Sequence, residues 1–243
     1  MEQRRFLPGA RVSPSTVPGI AVADTESQPL ALVYRGPAST DDCPEAVAAL
    51  LDGQYRVAYI GPDEEYPLTA YSLAKAALYA QPGGGSLAPA WRSMRDYADD
   101  IRAYVQGGGN YVGFCLGGYL AGASPGFTLL PGDANEYVGS SGSDLDSTAD
   151  TVLTVTWRGA QRPLFFQDGP LFTLDNGAPA TVLATYPSGA VAAVVAPCGK
   201  GKVGVVGPHP EADETWFSEA VLPSSGAVHP ELGRDLVATT VAR

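Results

Sequence analysis

Residues 107–124, "GGGNYVGFCLGGYLAGAS", decide how this chain is read. The run 110–114, "NYVGF", has the β-branched and aromatic content of a short buried strand. "LGGYLAGA" (116–123) follows it directly and is compatible with a helix, so Cys115 falls at a strand-to-helix turn. Glycines flank it at 113 and 117. A sharp turn of this kind lifts its central side chain above a sheet, since a Cβ at either flank would collide with neighbouring backbone. A helix starting after Cys115 directs free N–H groups and its positive dipole end at the sulfur, which favours the thiolate. The backbone N–H of Leu116 is then placed to donate to an oxyanion. The competing reading is a small buried cysteine at a tight packing site, a common use of the residue.

Working outward, the chain from about residue 29 alternates short β-rich runs with helical ones, as expected for a mostly parallel sheet with helices on both faces. "LALVYR" (30–35), "YRVAYI" (55–60) and "AALYAQ" (76–81) read as the first three strands. Between the first two, Asp41 or Asp42 can cap a helix with Pro44 and Glu45 in its first turn. "PAWRSMRDYADDIRAYVQ" (89–106) reads as an amphipathic helix ended by Gly107. The second half differs. "TVLTVTW", "PLFFQ", "TVLATY", "AVAAVVAP" and "GKVGVVG" are strand-like runs separated by Gly, Pro and Asp turns. They suggest an antiparallel β excursion before a last strand returns to the main sheet. "EADETWFSEAVL" (211–222) and "PELGRDLVATTVAR" (230–243) read as closing helices. The expected class is therefore α/β, one domain over 29–243, with residues 1–28 a flexible arm or a truncated export signal.

A thiol that attacks an acyl group wants a general base. The chain has two histidines. His209 leaves the carboxyl end of the run "GKVGVVG", the edge where open α/β sheets place their sites. Glu211, two residues on, can turn back and hold the imidazole in the tautomer that takes the thiol proton. His229, in "AVHPELG", reads most simply as a helix start. The turn Pro82-Gly83-Gly84-Gly85 after the third strand can supply a second oxyanion donor from Gly83, Gly84 or Gly85.

Bulk composition narrows the partners. A formal charge of −11 opposes a nucleic-acid or anionic-membrane surface, and no apolar run approaches the length of a membrane span. Three cysteines are too few for a disulfide framework. Reduced thiols in a cytoplasmic protein are expected, with a Cys43–Cys115 or Cys43–Cys198 bridge left open. Asp144, Asp146 and Asp150 match calcium-loop spacing only loosely, without the Gly and terminal Glu of a dedicated loop, and no Cys/His cluster has zinc spacing.

Together, the elbow Gly113-Phe114-Cys115-Leu116-Gly117, the turn Pro82-Gly83-Gly84 and the late His209-Pro210-Glu211 resemble the class I glutamine amidotransferase-like superfamily. Within it, "VYRGP" (33–37), "GFCLGGY" (113–119), "LFFQDGP" (164–170) and "GKGKVGVVGPHPE" (199–211) are most similar to the amino-terminal domain family of biotin-protein ligases and its stand-alone bacterial relatives. The resemblance spans roughly residues 29–220. It implies a flavodoxin-like sheet, a Cys115-His209-Glu211 triad, and pocket positions at Tyr34, Gln167 and Asp168. It also marks departures. Glutamine-using members usually carry Gln four residues after the cysteine, where this chain has Tyr119, so recognition of free glutamine is not implied. The related thiol chaperone and protease group keeps a Glu on the first strand, and "LALVYRG" has none. No ligase catalytic domain accompanies the fold in these 243 residues, and biotinylation is not expected.

These readings converge on a cysteine-dependent amidase or hydrolase acting on a small amide or acyl substrate, with no cofactor required and any ammonia acceptor on a separate enzyme. The alternatives are a binding or regulatory module that keeps the triad geometry without turnover, and an oxidant-responsive protein in which Cys115 is oxidised, with Cys43 as its partner in a redox lock.

Overall fold

The computed structural model describes residues 28–242; the expected N-terminal arm lies outside them but for residue 28. The chain runs β1 (Leu30–Tyr34), α1 (Asp42–Leu51), β2 (Arg56–Ile60), α2 (Ala70–Leu73), β3 (Leu78–Gln81), α3 (Leu87–Met94), α4 (Ala98–Gln106), β4 (Asn110–Phe114) and α5 (Leu116–Ala121). It continues with β5 (Gly132–Glu136), β6 (Thr151–Trp157), β7 (Ala160–Phe166), β8 (Pro170–Leu174), β9 (Thr181–Thr185), β10 (Val191–Cys198), β11 (Gly201–Val206), α6 (Glu214–Glu219) and α7 (Pro230–Val241). One sheet runs in the order β2-β1-β3-β4-β11-β10-β9-β6-β7, with β8 joined to β10 and β5 to β8. From β2 to β11 neighbouring strands are parallel; beyond β11 they are antiparallel. This is the expected mixed α/β class. The excursion extends the main sheet, and β11 returns beside β4.

Strand periodicity sorts the core into two layers. Leu30, Leu32 and Tyr34 face one side with Tyr79 and Tyr111, under α3, α4 and α5 through Met94, Ile101, Val105 and Leu120. Ala31 and Val33 face the other with Ala80, Val112 and Phe114, under α1 and α7 through Val47, Leu50, Leu236 and Val237. Successive side chains on a strand point to opposite faces, so a strand covered on both sides is apolar throughout, as β1 is.

Several expectations are corrected. The amphipathic stretch 89–106 is broken by a 3₁₀ turn at Arg95–Tyr97. The buried stripe Ala90, Met94, Ala98, Ile101, Val105 continues across the turn, so periodicity alone does not reveal it. Asp41 is the N-cap of α1 but its side chain makes no capping bond; Glu45 in the first turn pairs with Arg35 at 3.0 Å. The third strand begins at Leu78, two residues late. α6 spans only Glu214–Glu219, capped by the Asp213 carboxylate accepting from the N–H groups of Thr215 and Trp216. It starts after Glu211 because that side chain is turned back to His209. The structure adds two strands, β5 and β8, and a helical turn, α2, to those expected. β5 reads "GDANE", without a strand former, and exists because all five residues pair with β8: tertiary pairing overrides propensity. α2 is a single turn held by Thr69, whose hydroxyl accepts from the Ser72 N–H at 3.2 Å.

Register places the site. At the carboxyl end of the parallel strands Val206 of β11 lies opposite Phe114 of β4, and Gln81 of β3 lies opposite Gly113. Three chain segments therefore leave the sheet side by side, with Cys115 between Pro82-Gly83 and Gly207-Pro208-His209. Among the described residues, no helix is long and apolar enough to cross a membrane.

Candidate active site

Cys115 adopts φ 47° and ψ −104°, a left-handed backbone that side chains rarely take. Its N–H donates to the Val206 carbonyl at 2.9 Å, and its own carbonyl accepts from the N–H groups of Gly118 and Tyr119 at 2.8 and 3.1 Å. These bonds hold the residue in a conformation that costs roughly 1–3 kcal/mol. The glycines are required as expected. A Cβ on Gly113 would overlap the Gly117 carbonyl, and one on Gly117 would overlap the Gln81 carbonyl. α5 begins at Leu116, so the Leu116 N–H is one of the first-turn donors that have no intrahelical acceptor.

His209 is buried and stands beside the sulfur. Its Nδ1 lies 2.8 Å from Glu211 Oε1, and the Glu211 side chain is wholly inaccessible. With Nδ1 taken, Nε2 is the nitrogen left for the thiol. Burial by itself disfavours a charged imidazole, but the Glu211 carboxylate and then the Cys115 sulfur outweigh it, and His209 is raised well above its ordinary 6.5. Because the folded value lies above the unfolded one, the stability this proton contributes is complete below about pH 6.5 and is lost as pH rises through the folded value. An NMR titration of the ring should find it protonated above pH 6.5. Glu211→Gln and Cys115→Ala should each move the midpoint down; no movement in either variant would break the coupling.

The wall behind the imidazole was not foreseen from the sequence. Phe165 meets His209 edge-on with ring centroids 6.0 Å apart, and Trp216 lies 5.1 Å away on α6. The His209 N–H also donates to the Phe165 carbonyl at 2.9 Å. Phe165, Ala212, Phe217 and Ala227 form a satellite core with Trp216 packed against it. Phe165 lies within "LFFQDGP", but only the chain's return from β7 to His209 makes it a neighbour of the ring, and nothing local marks Trp216. Phe165→Ala should cost about 3–5 kcal/mol of stability, read as a lower urea midpoint. A loss under about 1 kcal/mol would mean that the wall does not hold the histidine loop.

Gly83 sits closest to the pair: a Cβ there would stand 2.9 Å from His209 Cε1 and 3.3 Å from Cys115 Cβ. Gly84 (φ 95°) packs against Thr40, and Gly85 (φ 79°) faces open space. Cys115, Leu116, Gly84 and Gly85 line a cleft of about 980 Å³ together with Tyr119, Gln167 and Asp168; Gly83 and His209 are not among the residues that line it. The Gln167 carbonyl lies 3.5 Å from the Cys115 sulfur, and the Tyr119 hydroxyl donates to the Asp168 carbonyl at 3.1 Å. Tyr34 is placed differently. It is a core residue of β1, 2% exposed and absent from the cleft lining, because its ring falls on the face packed under α3 and α4 and its hydroxyl turns to the Ala38 backbone. Gln81, not singled out beforehand, is buried and donates from Nε2 to the Ala38 carbonyl at 3.0 Å while accepting from the Tyr79 hydroxyl at 2.7 Å. It ties the end of β3 to the loop that carries Thr40.

The three cysteines are free thiols. Cys43 is buried at the same end of the sheet, 3.2 Å from the Thr40 hydroxyl. Burial first of all raises it to about 11, and the charges of His209, Glu211 and Cys115 also act on it. Cys198 lies opposite Gly201 at the other end of β11, so a Cys43–Cys198 bridge is ruled out by the length of a strand. His229 precedes α7, with its ring nitrogens 2.8 Å from Glu231 and 2.9 Å from the Gly226 carbonyl.

With this geometry in view, comparisons with known proteins are informative. Residues 30–140 match the sequence profile of the family described as "Biotin-protein ligase, N terminal". No curated protein matches the chain. Among solved structures, a glutamine amidotransferase from Thermotoga maritima is similar with a TM-score of 0.59 and 15% identity, over 89% of this chain and 99% of that one. A glutamine amidotransferase from Methylobacillus flagellatus is similar with a TM-score of 0.52 and 17% identity, over 88% and 90% of the two chains. A further glutamine amidotransferase has a TM-score of 0.59 and 17% identity over 88% and 99%. The fold is glutamine amidotransferase-like, in agreement with the resemblance drawn from the motifs, and the family match runs from β1 through β5 and includes the elbow.

Proposed function

We propose that this chain, folded over residues 29–243 as one amidotransferase-like unit, is a thiol hydrolase that cleaves a small amide or related acyl compound at Cys115. The observation that carries the reading is the convergence of a strained, glycine-flanked cysteine, which lines an open cleft, with a buried His209–Glu211 pair at 2.8 Å. Cys115 passes its thiol proton to His209, and the sulfur attacks the carbonyl carbon, forming an S–C bond while the carbonyl electrons collect on oxygen. The N–H of Leu116 and the Gly83–Gly85 turn stabilise that oxyanion. Collapse breaks the C–N bond, and His209 supplies the proton to the departing amine. Water then attacks the thioester, His209 takes its proton, and the acid leaves with the thiol restored. Glu211 holds the ring in the required tautomer throughout. These steps use groups of this chain together with water.

The test is covalent trapping. Incubation with a panel of activated esters and anilides, followed by intact-mass and peptide analysis, should show an acyl adduct on Cys115 that decays with water and is absent in Cys115→Ala. Absence of any adduct across the panel, with unhindered ligand binding in Cys115→Ser, would favour a binding module instead.

A further inference from the structure

The lining of the cleft is electrostatically one-sided. Two charged residues reach it, Glu136 and Asp168, and among the described residues that border it none is Lys, Arg or His. Neither carboxylate takes part in an ion pair among the described residues, whereas Arg35 is held by Glu45 and Glu64, and Arg158 by Asp235. The backbone places both acids on the wall that carries the reacting atom. Asp168 follows directly on Gln167, whose carbonyl touches the Cys115 sulfur at 3.5 Å, and its own carbonyl is held by the Tyr119 hydroxyl. Glu136 ends β5 opposite Pro170, two residues from Asp168. The two are close enough that, after burial, the Glu136 charge is what raises the Asp168 carboxyl. A carboxylate-bearing substrate entering here would meet two negative charges on the cleft wall, while the His209 imidazole is buried outside the lining and already paired with Glu211, and a cation would meet two free partners.

We infer that the cleft selects a substrate whose acyl or amine portion carries a positive charge, an ammonium or guanidinium group, and rejects one presenting a free carboxylate. Glu136 and Asp168 are the specificity residues. This rests on Cys115 being the reacting group, as proposed above. It also gives a physical role to the residue four positions after the cysteine: Tyr119 carries no charge and uses its hydroxyl to set the Asp168 turn.

The test uses two methanethiosulfonate reagents of similar size, one with a trimethylammonium-ethyl group and one with a sulfonatoethyl group. In each, the thiolate attacks the sulfenyl sulfur, forms a mixed disulfide and releases methanesulfinate, so only the charge differs. Rates at Cys115, located by peptide mass spectrometry, are divided by those of free cysteine. The cationic reagent should be favoured by about 10-fold or more in the wild type. Glu136→Gln with Asp168→Asn should bring the ratio close to 1; asparagine tolerates the left-handed backbone at 168, where φ is 48°. Neutralising two exposed acids outside the cleft, Asp96→Asn with Glu219→Gln, should leave the ratio in place, and its collapse there would assign the preference to the overall charge instead. A wild-type ratio near 1, with iodoacetamide labelling of Cys115 still slowed by His209→Ala, would overturn the charge selectivity and leave the hydrolase reading standing. A Cys115 inert to all three reagents would overturn both.

Discussion

Replacing His209 by alanine should slow alkylation of Cys115 by iodoacetamide about 10²- to 10⁴-fold at pH 7, the range over which a positioned acid–base partner contributes. The imidazole is buried against Phe165 and Trp216, fixed through Nδ1 by Glu211, and raised in its affinity for a proton by Glu211 and the Cys115 sulfur. On the proposed hydrolytic route this is the group that manages the thiol's proton. Glu211→Gln should give an intermediate loss, because the ring keeps its place but loses the carboxylate that selects its tautomer. Equal labelling rates in wild type and His209→Ala would mean that the sulfur reacts without the histidine, and the hydrolytic route would fall.

Gly83→Ala should do comparable damage to function by steric means alone. The added methyl would stand 2.9 Å from His209 Cε1 and 3.3 Å from Cys115 Cβ. Neither neighbour can yield easily: the ring is locked between Glu211 and the aromatic wall, and the cysteine is pinned at both its N–H and its carbonyl. Displacing the ring by several tenths of an ångström should lower the labelling rate about 10²-fold, since misplacement on the order of 1 Å has that effect elsewhere, and overpacking should cost about 1–3 kcal/mol. Gly85→Ala is the control. Its Cβ would meet nothing within 4 Å, and it bears only the strain of φ 79°, about 1–2 kcal/mol. It should therefore lose stability while keeping the pair's reactivity. If Gly83→Ala labels as fast as Gly85→Ala, the glycine turn is not part of the site's geometry.

Much of this architecture is legible in the residues. The alternation of apolar runs with helical segments identifies β1, β2, β4 and β11 to within a residue or so, most clearly β1, which is buried on both faces and apolar at every position. The elbow is legible because the glycine pair at 113 and 117 brackets the turn; the clash at 113 is local, with the Gly117 carbonyl, while that at 117 is with Gln81 of β3. His209 is legible because a histidine at the carboxyl end of a strand has few places to go. By contrast, β5 carries no local signal and comes only from its partner β8. The break at Arg95–Tyr97 is hidden by an unbroken buried stripe. Tyr34, grouped with the pocket by its motif, is buried in the core beneath the helices and is not among the residues that line the cleft.

What the sequence by itself determined is therefore whatever depends on backbone sterics and periodicity: the α/β class, the strand-to-helix turn at Cys115, and the histidine and glutamate two residues apart. Only the tertiary structure decided which side chains surround that turn. The register of β4 between β3 and β11 brings Gly83 and His209 to either side of the sulfur. The return of the chain past β7 sets Phe165 against the ring, and the pairing of β5 with β8 carries Glu136 to Asp168. Each is a contact between residues distant in sequence, and such contacts are fixed by the global burial of the sheet.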